Sequence, residues 1–86
     1  MSTEQRETMV TSPAQLAKVL RGHRKHQCLT QNALAARIGL TQASVSFYET
    51  DANRLNVENL FKVLSELHLE LVLREKPSED IRESEW

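Results

Sequence analysis

Thr41, Gln42, Ala43, Ser44, Ser46 and Phe47 fall within seven consecutive residues. Their side chains suit hydrogen bonding and apolar contact with the edges of nucleobases. A helix has the width to enter the major groove, where each base pair shows a distinct pattern of donors and acceptors. At the start of such a helix Gln42 can bond an adenine through N6 and N7. Ser44 and Ser46 donate or accept, and Ala43 or Phe47 can touch a thymine methyl. Thr30 and Gln31 head a preceding helix, where side chain and free backbone N–H groups together hold a phosphate. Arg54 and Asn56, ahead of a later helix, are further candidates for phosphate contact. The plain alternative is a helical bundle whose outer serines are only solvated.

The other reactive side chains do not assemble a centre. His23 and His26 are three apart and can share a helix face, but no third ligand is near and Cys28 lies past the expected helix end. Cys28 paired with a histidine lacks an orienting group. Glu79, Asp80, Glu83 and Glu85 belong to a polar stretch that is expected to be disordered and cannot hold a catalytic geometry. Neither an enzyme nor a metal or cofactor site is expected.

Four capped segments must position the reading face. Ser12 is a natural N-cap, Pro13 suits the first helical position and Gln15 completes a capping box, opening a helix over 13–26. Leu16, Val19 and Leu20 recur at helical spacing toward a core. Thr30 caps QNALAARI, with Leu34 and Ile38 inward and Ala35 small at a contact. Gly39 follows, where a left-handed residue ends a helix without a Cβ clash. Thr41 caps a third helix over 42–49, with Val45 and Tyr48 inward. Two short helices joined by such a turn form a helix-turn-helix. Asn56 caps VENLFKVLSELH, whose Leu60, Phe61 and Leu64 read as core. The period then changes to two: Leu67, Leu69, Leu71 and Leu73 alternate with His68, Glu70, Val72 and Arg74, which predicts a strand at 69–74 rather than a longer helix. A lone strand needs a partner for its backbone. No second strong strand exists, so the expected partner is the same strand of another copy across a two-fold axis, with Leu69, Leu71 and Leu73 as the dimerisation row.

Composition sets the frame. Eighty-six residues, 40% of them hydrophobic and 27% charged, suit a single domain and exclude a multidomain enzyme. Neither a membrane span nor a signal peptide is legible. A single cysteine makes an intracellular protein the default. The net charge of −1 conceals a split. Residues 13–49 hold five cations against Glu49 alone, a net of +4, whereas 77–86 hold four acids against Arg82, a net of −3. Two surfaces with different partners are expected, against the simpler reading of solvated faces. Residues 1–11 read as flexible, with a short extended piece at 8–11, and 75–86 as a disordered acidic tail. Trp86 in that tail is either an anchor for a pocket on another protein or without a binding role.

The stretch TQNALAARIGLTQASVSFYE resembles the Xre/Cro-like helix-turn-helix family at Gln31, Leu34, Ala35, Gly39, Leu40, Val45, Ser46, Tyr48 and Glu49. The resemblance implies a lambda-repressor-like all-α domain of about four to five helices and a structural Arg24–Glu49 pair. Cys28 stands where that family commonly has glycine; either it takes a positive φ with some strain, or the first turn is shaped differently. SPAQLAKVLR, TQNALAARIGLTQASVS, LELVL and a tail ending in Glu-Trp are similar to the HipB antitoxins within that family. This implies a homodimer joined through C-terminal strands that binds a palindromic double-stranded DNA operator. It further implies repression of its own operon, in a bacterial cytoplasm, and neutralisation of a HipA-type Ser/Thr kinase toxin. Thr41 and Phe47 depart from that antitoxin pattern, so its operator does not carry over. The expected division is a flexible 1–11, a DNA-binding domain at 12–68, a dimerisation strand at 69–74 and an acidic tail at 75–86. A stand-alone repressor, or an inhibitor that uses the helix-turn-helix only as scaffold, are the alternatives.

Overall fold

In the computed structural model, which describes residues 6–77, every α-helix starts at a side-chain oxygen that accepts from the N–H three residues on. Ser12 opens α1 (Pro13–His26), Thr30 opens α2 (Gln31–Ile38), Thr41 opens α3 (Gln42–Thr50) and Asn56 opens α4 (Val57–Glu66). The cap distances run from 2.7 Å at Asn56 to 3.1 Å at Ser12. Each cap satisfies one donor the first turn leaves open. Gln15 reaches back one residue further than a capping box requires. Its Oε1 accepts from the backbone N–H of Thr11 at 2.6 Å and from the Thr11 hydroxyl at 2.9 Å. A 3-10 turn, Ala52–Arg54, links α3 to α4.

Three helices end alike. Cys28 (φ 60°), Gly39 (φ 76°) and His68 (φ 60°) are left-handed, and the leucine after each bonds back to the carbonyl five residues earlier. These bonds are Leu29 to Arg24 at 3.2 Å, Leu40 to Ala35 at 2.9 Å and Leu69 to Leu64 at 2.8 Å. Each leucine then packs against the core, the hydrophobic contact that accompanies this C-terminal motif. Cys28 therefore keeps the positive φ where the family has glycine. His68 ends α4 at Glu66, two residues short of the expected helix.

The core gathers Leu20, Leu34, Ala35, Ile38, Val45, Tyr48, Val63, Leu64 and Leu67, with Leu60 partly buried against it. Helix α2 packs on α3 and α4, and α1 on α3 and the 3-10 turn. One expected core residue is elsewhere: Phe61 is 51% exposed, and Val57, one turn earlier, is also exposed. The apolar arc of α4 is wider than one chain's core covers, and Leu60, Val63, Leu64 and Leu67 take the inner part.

Residues 69–74 form no strand, and there is none among the described residues. A strand is defined by hydrogen bonds to a neighbouring strand, and a single chain supplies none to this segment. Leu71, Val72 and Leu73 are exposed, and Arg74 reaches Glu7 of the N-terminal segment at 3.2 Å. No helix among the described residues is long and apolar enough to cross a membrane. Trp86 and most of the acidic tail lie outside the described residues.

Candidate nucleic-acid interface

The turn at Gly39 brings the N-termini of α2 and α3 together, and their first residues touch. Gln42 donates from Nε2 to Oε1 of Gln31 at 2.6 Å. Gln31 donates in turn from Nε2 to Oε1 of Glu49 at 3.0 Å. Glu49 is clasped by Arg24 through Nε to Oε2 at 2.7 Å and Nη2 to Oε1 at 2.9 Å. The remaining Arg24 nitrogen, Nη1, donates to the Leu29 carbonyl at 2.8 Å. Arg24 and Glu49 are both buried, so the pair is stable only because both fork positions and the spare lone pair are occupied. The hydrogen bond to Glu49 holds the guanidinium above its ordinary value, against the opposing effect of burial. A continuous polar chain thus runs from the buried end of α1 to the exposed Gln42.

The outer side of α3 carries the remaining expected reading residues. Thr41, Gln42, Ala43 and Phe47 are exposed, whereas Ser44 and Ser46 are half-buried. The Thr41 hydroxyl is engaged: it accepts from the Ser44 N–H and donates to the Ser44 hydroxyl, each at 3.0 Å. Thr30 and Asn56 likewise spend their side-chain oxygens on caps. Arg54 does not stand free beside them; its guanidinium carbon lies 5.2 Å from the centre of the Phe47 ring. A shallow cavity of about 150 Å³ opens between Ser44, Phe47, Arg54 and Asn59, with Tyr48 in its wall. The Tyr48 hydroxyl is buried without a hydrogen-bond partner. Burial first, and the negative charge of Glu49 second, push its ionisation well above the ordinary phenol range.

Pairing redistributes the basic block. Arg24 is consumed by Glu49, and Arg37 meets Glu66 at 3.1 Å on the surface. Lys18, Arg21 and Lys25 have no carboxylate partner among the described residues and line an open groove along α1 with Ala14 and Gly22. Among the described residues no three His, Cys, Asp or Glu side chains come together as metal ligands. Two features escaped the sequence reading, the Gln31 bridge and the stack of Arg54 on Phe47. Both join separate elements, so no local periodicity signals them.

Residues 20–73 match the HTH_3 helix-turn-helix family. Antitoxin HipB of Escherichia coli strain K12 is 34% identical over 64 residues, which cover 74% of this chain and 73% of that protein. The HipB of Escherichia coli O6:H1 strain CFT073 gives the same identity over 68% of its length. The chain belongs to the HipB antitoxin family. Solved HipB structures superpose along most of it. A HipB–O4 20mer complex has a TM-score of 0.76 at 31% identity, over 83% of this chain and 100% of that one. A HipA–HipB–O2–O3 complex has a TM-score of 0.77 at 31% identity, with the same coverage. HipB-family chains are helix-turn-helix regulators rather than enzymes, and the all-helical fold described above is theirs.

Proposed function

We propose that this chain is the antitoxin of a type II toxin–antitoxin module, a sequence-specific repressor of its own operon that also binds and neutralises a HipA-type Ser/Thr kinase. The observation that carries the reading is Gln42, exposed at the first position of α3 and tied through Gln31 to a buried ion pair. A reading side chain gains most when its orientation is fixed before it meets the base. In this reading Thr41, Gln42, Ala43, Ser44, Ser46 and Phe47 face base edges in the major groove. Thr30, Gln31 and Asn56, with the N-termini of α2 and α4, hold the phosphate backbone, and Arg54 adds positive charge at the same face.

The protein acts as a homodimer. Residues 69–74 pair as a strand with their copy, and Leu69, Leu71 and Leu73 line the seam. The exposure of Leu71, Val72, Leu73, Val57 and Phe61 in the single chain supports this. Two recognition helices about 34 Å apart would then read successive major grooves of a palindrome. HipB structures solved with operator DNA and with HipA support both partners. Residues 12–68 form the DNA-binding domain, and the acidic tail at 75–86 with Trp86 serves the kinase, all within the bacterial cytoplasm.

Gln42→Ala tests the reading. It should cost ~1–3 kcal/mol at one base pair per half-site, while kinase capture in a pull-down stays intact. Unchanged operator affinity and base preference would remove α3 from the interface.

A further inference from the structure

Phe47 lies on the outer side of α3 and Arg54 in the 3-10 turn, yet the two side chains meet. The 5.2 Å between guanidinium carbon and ring centre is within the ≈6 Å over which a cation is held on an aromatic face. Both residues are exposed, Phe47 at 52%, and Arg54 has no carboxylate partner among the described residues. A phosphate contact needs only a charge that can swing into place. An arginine held against a ring is different: the aromatic face narrows the positions its planar fork of N–H donors can take.

We propose that Phe47 and Arg54 form one reading unit for two adjacent base pairs, the ring against a thymine methyl and the guanidinium bidentate to O6 and N7 of a neighbouring guanine. The proposal rests on α3 being the recognition helix. The bases follow from the chemistry of each side chain. Thymine alone presents a C5-methyl for an apolar ring. Guanine alone presents two adjacent acceptors, whereas adenine sets an amino donor beside N7 and cytosine offers a donor. A donor-only fork therefore selects guanine. The 5.2 Å between guanidinium carbon and ring centre lies between one and two base-pair steps of about 3.4 Å, close enough for the two groups to serve neighbouring pairs. Arg54 becomes a specificity residue, although it lies outside the recognition helix.

The test uses the full-length dimer and a pool of randomised duplexes, from which sites are selected with the natural protein, Arg54→Lys, Phe47→Ala and Gln42→Ala. The natural protein should select a guanine beside a thymine in each half-site. Replacing that guanine by 7-deazaguanine should weaken binding roughly 5- to 150-fold per half-site, and replacing that thymine by deoxyuridine roughly 4-fold per half-site, as for one lost buried methyl. Arg54→Lys keeps the charge and the salt dependence, loses the guanine preference and ignores 7-deazaguanine. Phe47→Ala ignores deoxyuridine and blunts the guanine preference, because the platform is gone. If Arg54→Lys selects the same sites as the natural protein and remains sensitive to 7-deazaguanine, the proposal is overturned. It is equally overturned if Arg54→Ala, measured alongside, changes only the salt slope, by about 1.8 as for two lost phosphate contacts, one per subunit. Gln42→Ala separates the two levels: a changed preference there with none at Arg54 defeats this inference alone, whereas no change at either position defeats the reading of α3 itself.

Discussion

Glu49 accepts three hydrogen bonds, two from Arg24 and one from Gln31, and so joins the buried end of α1 to the surface of α3. Its neighbour Tyr48 is less well served, since the buried hydroxyl has no partner. Removing that hydroxyl costs no hydrogen bond and relieves a desolvated group. Tyr48→Phe should be neutral or stabilising by up to about 1 kcal/mol in urea denaturation at pH 7. Its effect should grow with alkali. In the unfolded chain Tyr48 ionises near the ordinary value of 10.0, whereas in the folded chain burial and Glu49 keep it protonated well above that. Proton linkage through Tyr48 therefore leaves stability intact below pH about 10 and erodes it as pH rises toward the folded value, because only the unfolded chain gains the ionisation. The natural protein should lose stability between pH 9 and about 11 faster than Tyr48→Phe, and parallel pH profiles would contradict the cause given. The inward position of Tyr48 was legible from its spacing to Val45. Its missing partner was not, because that depends on what α4 and the 3-10 turn bring near.

Helix starts and helix ends were not equally legible. All four N-caps could be read, since each is a short polar side chain bonding an N–H three residues ahead. Of the three left-handed ends Gly39 announced itself by residue type, Cys28 was one of two alternatives left open by the family resemblance, and His68 gave no sign. Cys28 and His68 adopt the same geometry with a Cβ, at a cost of order 1 kcal/mol each, because the following Leu29 and Leu69 gain burial. Cys28→Gly should raise stability by about 0.5–1 kcal/mol, seen as a melting temperature higher by a few degrees, with operator affinity unchanged. A lower melting temperature would mean that the Cys28 side chain contributes more than its backbone costs. The early end of α4 at His68 has a further consequence, for it releases Leu69 to the core and leaves the rest of the leucine row outside.

As a whole the single chain has an inside that is complete and an outside that is not. Its core closes around Tyr48, Leu34 and Val63, whereas Phe61, Leu71, Val72 and Leu73 stay in water. A second copy is the proposed cover. Leu71→Glu should keep the helical circular dichroism, yield monomers in sedimentation equilibrium and lose palindrome binding; a variant that stays dimeric would move the seam elsewhere. Capping residues and the turn glycine determined by themselves the four helices and the helix-turn-helix, whereas the change of period marked the end of α4 only to within two residues and the strand it predicted is absent from the single chain among the described residues. The helices and their turn rest on interactions between residues a few positions apart, so the order of residues carries them directly. Tertiary structure alone decided which strip of α4 is buried, that Gln31 couples Gln42 to Glu49, and that Arg54 settles on Phe47. Those outcomes depend on how separate helices approach one another, and the spacing of residues along a chain holds no record of that distance.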